Sequence, residues 1–206
     1  VNNLGVQGAL TIGAAGADKV IFTSAADDAA GGNTDGNSGD PKILGDWGGI
    51  VVSGSGTAMI TDTVFKYGGQ SSSYAASISG TGMLSVAYSE FSYGNNSIRV
   101  SGGMVDVHDN AFKDIGQYAL YQSGGKLKIS KNSFSGVGSR DILLKGGIIE
   151  NNGGQSGDGA VYMENYSLSG DVSLPKDGLP YVISSVTVPV ERSLTNQPGV
   201  IVKMWD

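Results

Sequence analysis

The stretch Asn96–Ser139 decides the fold, because it contains two consecutive copies of one unit. The first copy, Asn96–Gln117, reads NSIRVSGGMVDVHDNAFKDIGQ, and the second, Tyr118–Ser139, reads YALYQSGGKLKISKNSFSGVGS. Each copy begins with a short apolar run, turns at Ser-Gly-Gly, continues through a second, alternating run and reaches Asn-x-Phe. A repeat of this length is typical of one supersecondary unit stacked on the next.

Two markers extend the same period beyond this pair. The first is a Ser/Lys-Gly dipeptide that recurs every 22 residues, at Ser79-Gly80, Ser101-Gly102, Ser123-Gly124 and Lys145-Gly146. The second is phenylalanine, which recurs nearly in phase with it at Phe65, Phe91, Phe112 and Phe134. Because two independent markers keep one period, the sequence predicts a solenoid in which equivalent residues of successive coils stack.

The second run of each unit alternates apolar and polar residues, as where Leu127 and Ile129 flank Lys128. Alternation places the apolar side chains inside and the polar ones in water. No stretch combines a 3.6-residue period with capping residues, so we expect almost no helix. A unit of about 22 residues with three short strands is one coil of a parallel β-helix, and the chain is therefore predicted to be an all-β solenoid.

The pattern Asn-x-Phe recurs one coil apart, at Asn110-Ala111-Phe112 and Asn132-Ser133-Phe134. Asparagine tolerates the left-handed backbone of a sharp corner and can bond its neighbours along the stack, so we expect it to form the corners. These coils resemble the right-handed parallel β-helix proteins of the pectate-lyase-like superfamily over most of residues 46–159. The resemblance implies a right-handed solenoid of about 22 residues per coil.

The two ends of the chain resemble adjoining parts of large secreted bacterial β-helix proteins. In those proteins a segment of the form YxVxxxxTV…LTIxPGVxVKF opens the helix and runs directly into LxVxGxLxAxGxxxxxIxFTSxxDD…GDWGGI. Here the opening half is the tail, Tyr181–Asp206, and the continuation is the head, Leu4–Ser24, followed by GDWGGI at Gly45–Ile50. The resemblance implies a repeat of a secreted bacterial surface protein, and an extracellular or cell-surface location.

The expected organisation is a single β-helix unit over residues 1–206. Regular coils occupy 46–159, an acidic loop is inserted at 27–44, and 180–206 supplies the opening strands of a following or adjacent unit. Two interpretations of the ends stay open. Either the boundaries are arbitrary or a second domain begins near residue 180, or the chain is one period of a tandem array or a subunit that polymerises head to tail.

The polymerising interpretation predicts a structural rod, filament or adhesin-type unit whose partners are copies of itself, end to end. Open solenoid ends expose unpaired backbone and apolar rungs, and no amphipathic capping segment is visible in the sequence. The tail strand Gly199–Met204 is expected to pair with Val6–Ile12 of the next unit. The predicted interface consists of Val6, Leu10, Ile12, Val200, Val202 and Met204.

The second functional hypothesis is a glycan-binding or glycan-processing module. Tyrosines recur through the coils, and exposed rings stack on sugars, although the same rings could instead seal corners and lateral packing surfaces. Pectate lyases use Ca²⁺-binding carboxylates plus an arginine on such a face, and polygalacturonases use an aspartate cluster with a histidine-bearing coil. Only Arg99, Arg140 and Arg192 occur here, none beside an acidic cluster, so we expect no enzyme.

The acidic loop is the candidate metal site. Alternating oxygen donors separated by flexible glycines suit the forgiving geometry of Ca²⁺, which would order the loop and perform no chemistry. The candidate ligands are Asp27, Asp28, Asn33, Asp35, Asn37 and Asp40. A solvated insertion rich in turn formers is the other interpretation.

The composition of the chain restricts the kinds of partner and chemistry that can be expected. The formal net charge of -6 disfavours a phosphate backbone, so no nucleic acid is expected. No apolar run approaches the length of a membrane-spanning helix, and none is predicted. The absence of cysteine excludes disulfides and thiol chemistry.

Overall fold

The structure is a computed structural model that describes residues 2–14, 16, 18–38 and 44–205. It is an all-β parallel solenoid with about 22 residues per turn and 47% strand, and no helix occurs in the described ranges. The fold class predicted from the period is confirmed.

The described residues form strands β1 to β25, numbered in chain order. Sheet A contains β1 (Asn3–Val6), β4 (Gly49–Val52), β7 (Ala76–Ile78), β10 (Asn96–Val100), β13 (Tyr118–Gln122), β16 (Arg140–Leu144), β19 (Val161–Met163), β22 (Tyr181–Ile183) and β25 (Val202–Met204). Sheet B contains β2 (Ala9–Ile12), β5 (Thr57–Thr61), β8 (Met83–Ala87), β11 (Met104–His108), β14 (Lys126–Ser130) and β17 (Ile148–Asn151). Sheet C contains β3 (Val20–Phe22), β6 (Thr63–Lys66), β9 (Glu90–Ser92), β12 (Ala111–Lys113), β15 (Ser133–Ser135) and β18 (Ser156–Gly157). Two short pairs complete the set, β20 (Tyr166–Ser167) with β23 (Val186–Thr187) and β21 (Val172–Leu174) with β24 (Leu194–Asn196).

Every strand pairs in parallel with the equivalent strand of the neighbouring coil, so one side-chain row runs along each sheet position. In sheet B, Val105 lies between Leu84 and Leu127, and all three side chains are fully buried. The alternate row points outward, where Lys128 donates a hydrogen bond to Asp106 at 3.0 Å. The alternation read from the sequence is therefore the inside-outside pattern of the solenoid.

All five phenylalanines of the chain form one interior column under sheet C. The rings of Phe22, Phe65, Phe91, Phe112 and Phe134 stack nearly parallel, with successive centroids 5.3, 4.7, 5.0 and 5.2 Å apart. Trp47 stacks beside the first two rings and donates its indole N–H to the backbone carbonyl of Lys66 at 2.7 Å. The column carries the packing continuously from the head coil into the regular coils.

A ladder of buried amides closes the corner between sheets B and C. Asn110 accepts the backbone N–H of Ser89 at 2.9 Å, Asn132 accepts that of Asn110 at 3.1 Å, and Gln155 accepts that of Asn132 at 3.0 Å. Each side chain thereby satisfies a backbone donor that the turn removes from the sheets. The predicted bonding along the stack is confirmed.

The predicted left-handed backbone of these asparagines is wrong. The residue just before each one has the positive φ instead, at 56° for Asp109 and 53° for Lys131, and Tyr88, which precedes Ser89 at the equivalent corner, has a φ of 52°. Asn110 and Asn132 are thereby turned inward, where their amides bond to the next coil. The left-handed position is solvent-facing, and different side chain types occupy it.

The head and tail of the described chain belong to the same stack. β1 pairs with β4, β22 pairs with β19, and β25 pairs with β22. Residues 181–204 therefore continue sheet A beyond the regular coils. β1 and β25 are the two outermost strands of this nine-stranded sheet.

Candidate functional site

At the head end of the solenoid, an apolar side chain is exposed at a position whose equivalents in the inner coils are buried. By register Leu4 lies beside Ile50, and Val6 lies beside Val52, so both point toward the interior. Val6 is only 6% exposed, whereas Leu4 is 46% exposed. Leu4 was not among the residues predicted from the sequence, since the head strand is too short to reveal its alternation.

The second head strand continues the interior rows of the neighbouring coil. Leu10 lies beside Ala58 and Ile12 beside Ile60, in interior rows of sheet B. Ile12 is buried, and Leu10 packs against the core while remaining half-buried. The predicted head residues therefore do line the interior of the first described coil.

At the tail end, too, residues that continue the interior rows are exposed. Val202 lies beside the buried Tyr181, and Met204 lies beside Ile183, so both continue interior rows. Val202 is 36% exposed and Met204 is 75% exposed, because β25 has a strand on one side only. Val200 packs against the core just before the strand.

The predicted pairing partner of the tail needs a correction. The stretch Val6–Ile12 is not one strand, because a bend at Gln7-Gly8 carries the chain from β1 in sheet A to β2 in sheet B. The tail strand β25 belongs to sheet A. Of the two head strands, only β1 offers it an edge in the same sheet.

The acidic loop separates into two groups of hydrogen bonds. Asp27 is buried, and its carboxylate accepts the hydroxyl of Thr23 at 2.5 Å and lies 3.9 Å from the ammonium of Lys66. Asp28 follows it in the turn and is half-buried. This group anchors the start of the insertion to the coil that carries Lys66.

The second group forms a small exposed turn. Asp35 accepts the backbone N–H of Asn37 at 2.8 Å, Asn33 accepts the backbone N–H of Gly36 at 2.7 Å, and the Asn33 amide donates to the carbonyl of Asn37. Asp40 lies outside the described residues. Within the described ranges no three acidic, histidine or cysteine side chains group as metal ligands. The calcium assignment therefore stays a prediction.

The outer face of sheet B is a surface of ion pairs. Lys126 pairs with Glu150 at 2.7 Å, and Lys128 pairs with Asp106 at 3.0 Å. His108 lies at the end of β11, with Nδ1 2.9 Å from the carboxylate of Asp109. The two lysines are therefore each paired with a carboxylate of a neighbouring coil.

The outer face of sheet A carries a cleft of a different kind. We call it the tyrosine cleft and define it by Tyr74, Arg99, Tyr118, Tyr121 and Lys145, which are among its lining residues. Its volume is about 300 Å³. The guanidinium of Arg99 lies 5.8 Å from the ring centroid of Tyr74 and 5.7 Å from that of Tyr121. Burial raises the pKa of the Tyr74 hydroxyl to about 12, although the nearby Arg99 opposes this shift.

A buried carboxyl lies on the same sheet. Asp141, in β16, is 3% exposed, and one of its oxygens has no hydrogen-bond partner among the described residues. Burial raises the pKa of this carboxyl from 3.8 to about 6, and the neighbouring Asp158 contributes in the same direction. Backbone N–H groups of Gly159 and Ala160 oppose the shift.

The raised pKa of Asp141 predicts a pH-dependent stability. Between about pH 3.8 and about 6 the folded protein holds a proton that the unfolded chain has released, so the free energy of unfolding falls as pH rises through this window. The Asp141→Asn variant has no ionisable group at this position, so its free energy of unfolding should change less with pH between about 3.8 and 6. Urea unfolding midpoints measured across this window test it, and parallel curves for the two proteins would contradict the assignment.

No family model matches the chain, and no curated protein or solved structure is similar enough to match it. In the part of the chain that the structure describes, no helix has the length and apolarity that a membrane crossing requires. Function therefore has to be inferred from the surfaces of the chain itself.

Proposed function

We propose that this chain is a structural unit of an extracellular rod or filament and assembles end to end with copies of itself. The observation that carries the proposal is the state of sheet A at its two ends. Its outermost strands, β1 and β25, each pair on one side only, and both leave interior-facing apolar side chains exposed. Soluble solenoids ordinarily cover such ends, because an open strand edge is a template for pairing.

The two ends are complementary in register. Val202 and Met204 of the tail are two residues apart, as are Leu4 and Val6 of the head, and all four face the interior. Pairing β25 with β1 of the next copy would align these rows and place Lys203 opposite Gly5, where no side chain opposes it. The contact joins unlike surfaces and repeats without closing, so it generates a linear assembly.

In this assembly only sheet A would be continuous across the junction between two copies. β21 lies against β17, so β21 and β24 extend the face of sheet B. The chain adds β25 to sheet A after β24, and the next copy begins again with β1 in sheet A. A gap one strand wide therefore separates β24 from β2 of the next copy. A contact of three or four residues on one sheet predicts a weak, reversible assembly that depends on concentration.

A covalent tandem array would require a different junction. In a direct fusion only Trp205, Asp206, Val1 and Asn2 would lie between Met204 and Asn3. Adjacent parallel strands in this solenoid are separated by a coil of about 22 residues. In such a direct fusion β25 and β1 could not pair with each other, and one of these strands would have to leave sheet A.

The finer identity belongs to the same proposal. The GDWGGI segment at Gly45–Ile50 and the head and tail patterns support a place among the pectate-lyase-like β-helix proteins, as a unit of a secreted bacterial surface protein. An adhesin-type role would use the exposed flanks of the rod. The exposed interior-facing residues of β1 and β25 favour the structural role over a freestanding glycan-processing module.

Val202→Pro tests the assembly. Ile201 accepts the backbone N–H of Tyr181, and Trp205 donates to Ile183, so residues 201, 203 and 205 face β22 while the N–H of Val202 faces the open edge. Proline removes this outward donor and leaves the bonds to β22 in place. We expect the concentration needed for assembly to rise about tenfold or more.

The measurement is sedimentation velocity combined with electron microscopy over a range of concentrations. The wild-type protein should form rods that lengthen with concentration, and Val202→Pro should stay short. Val202→Thr is the matched control, since it keeps the N–H and the branched shape and should assemble much like the wild type. A wild-type protein that remains a monodisperse monomer at high concentration would show that noncovalent stacking is wrong.

A further inference from the structure

The tyrosine cleft lies in the middle of the outer face of sheet A, away from both ends of the stack. Arg99 stands in an outward row between Ser77 and Tyr121 of the neighbouring strands. A smaller cleft of about 190 Å³ shares Tyr74 and Arg99 and extends the depression toward Val51. The depression thus runs along the solenoid axis over several strands, and Arg99 lies where its two parts meet.

Arg99 differs from the other arginine of this sheet. Arg140 donates to Glu164 at 2.9 Å and its guanidinium packs between the rings of Tyr162 and Trp205. Arg99 contacts only ring faces, and within the described residues no carboxylate lies within ion-pairing distance of it. Arg99 is exposed, and its five N–H donors make no hydrogen bond to another of the described residues.

The electrostatics of the cleft favour an anion. Among the described residues that line it, two carry positive charge, Arg99 and Lys145, and none carries a carboxylate. Lys145 lies 3.8 Å from Glu164, so Arg99 is the less compensated of the two. The phenol of Tyr74 is neutral at physiological pH and does not repel an anion, and burial raises its pKa further, to about 12. The protein as a whole is acidic, which makes this local charge balance unusual.

The remaining lining supplies ring faces and polar groups. Tyr118 and Tyr121 have ring centroids 5.7 Å apart and are tilted by 44°, which gives the cleft an aromatic wall beside Arg99. Gln117 adds an amide group, whereas the amide nitrogen of Asn96 already donates to the carbonyls of Ser71 and Ser73. The side-chain oxygen of Asn96 is buried and has no hydrogen-bond partner among the described residues.

We propose that the tyrosine cleft binds a small organic anion that consists of a ring bearing one carboxylate, sulfate or phosphate group. The oxyanion binds the guanidinium of Arg99, whose planar fork matches two oxygens at once. The ring lies against Tyr121, and the amide of Gln117 binds its polar substituents. This binding site goes beyond the structural role and does not depend on end-to-end assembly.

Titration calorimetry and ligand-observed NMR with defined probes test the proposal. Glucuronate and benzoate carry a carboxylate on a sugar ring and on a flat aromatic ring, glucose is a neutral ring, and inorganic sulfate is an oxyanion without a ring. We expect at least one ring anion to bind more tightly than both glucose and sulfate. Preference for glucuronate identifies a sugar acid as the ligand type, and preference for benzoate identifies an aromatic acid.

The variants assign the binding to the cleft. Arg99→Gln should weaken the preferred ring anion about tenfold or more, and Tyr121→Leu should weaken it while leaving the affinity for inorganic sulfate unchanged. Arg192→Gln, at an exposed arginine outside the lining, is the charge-matched control and should bind like the wild type. Equal binding by Arg99→Gln and the wild type would overturn the proposal, as would ring anions that bind no better than sulfate.

Discussion

Leu127→Asp should destabilise the folded protein by roughly 4 kcal/mol or more. Leu127 is fully buried between Val105 and Ile149 in an interior row of sheet B. An aspartate there would lose the packing of the leucine and place a carboxylate where the neighbouring coils offer only apolar side chains. Chemical denaturation measures the effect as a lower unfolding midpoint.

The matched control changes the adjacent residue, which faces water. Lys128 lies between Asp106 and Glu150 in the outward row. Lys128→Gln loses one partly exposed ion pair and should cost less than about 1 kcal/mol. A Lys128→Asp variant is a poorer control because it would align three carboxylates across neighbouring strands. Comparable destabilisation by Leu127→Asp and Lys128→Gln would contradict the inside-outside assignment.

Asn132→Ala should also be severe, at roughly 3 kcal/mol or more, although it removes no charge and little apolar area. The Asn132 side chain accepts the backbone N–H and the side-chain amide of Asn110, and donates to the carbonyl of Val107 and to Gln155. Truncation leaves several of these buried groups without a partner, and each such group costs about 1–3 kcal/mol.

Asn152→Ala is the comparison for this variant. The Asn152 side chain is exposed, and only its backbone N–H bonds to the stack, donating to Ile129. The substitution should therefore change the free energy of unfolding by less than about 0.5 kcal/mol. If the two alanine variants unfold at the same midpoint, the corner amides contribute nothing beyond their shape.

The features that repeat with the coil could be predicted from the sequence. Phe91, Phe112 and Phe134 are equivalent in successive coils, and their stacking follows directly from the period. Phe22 belongs to the same column but could not be recognised, because the acidic insertion separates it from Phe65 by almost two periods. A repeat marker is visible only while the spacing is kept.

The tyrosine cleft could not be predicted from the sequence, for a related reason. Tyr74 lies in the connection just before β7, Arg99 lies in the next strand of the sheet, and Tyr121 lies in the strand after that. No motif joins residues at these separations, so Arg99 was considered only for its distance from acidic clusters. Their proximity depends on which turn residues fold over sheet A, and the alternation pattern does not specify this.

The end residues were predictable in type but not in detail. The resemblance of the two ends to adjoining parts of large secreted β-helix proteins indicated that both carry strand-forming segments, and Val202 and Met204 do continue interior rows. The division of Val6–Ile12 between two sheets depends on the bend at Gln7-Gly8, which is the head coil's counterpart of the Ser-Gly turn. Without a Ser at that position the turn did not match the marker.

The single-file arrangement of coils has a mechanical consequence. Each strand of sheet A bonds only to the coil before it and the coil after it, so a force applied at the two ends loads the outermost coil first. Releasing one coil of about 22 residues lengthens the chain by roughly 70 Å, since each extended residue spans about 3.4 Å and the coil contributed only about 5 Å of rod. Such a rod would yield in successive increments, and each peeled coil would leave behind a new end with the same exposed rungs.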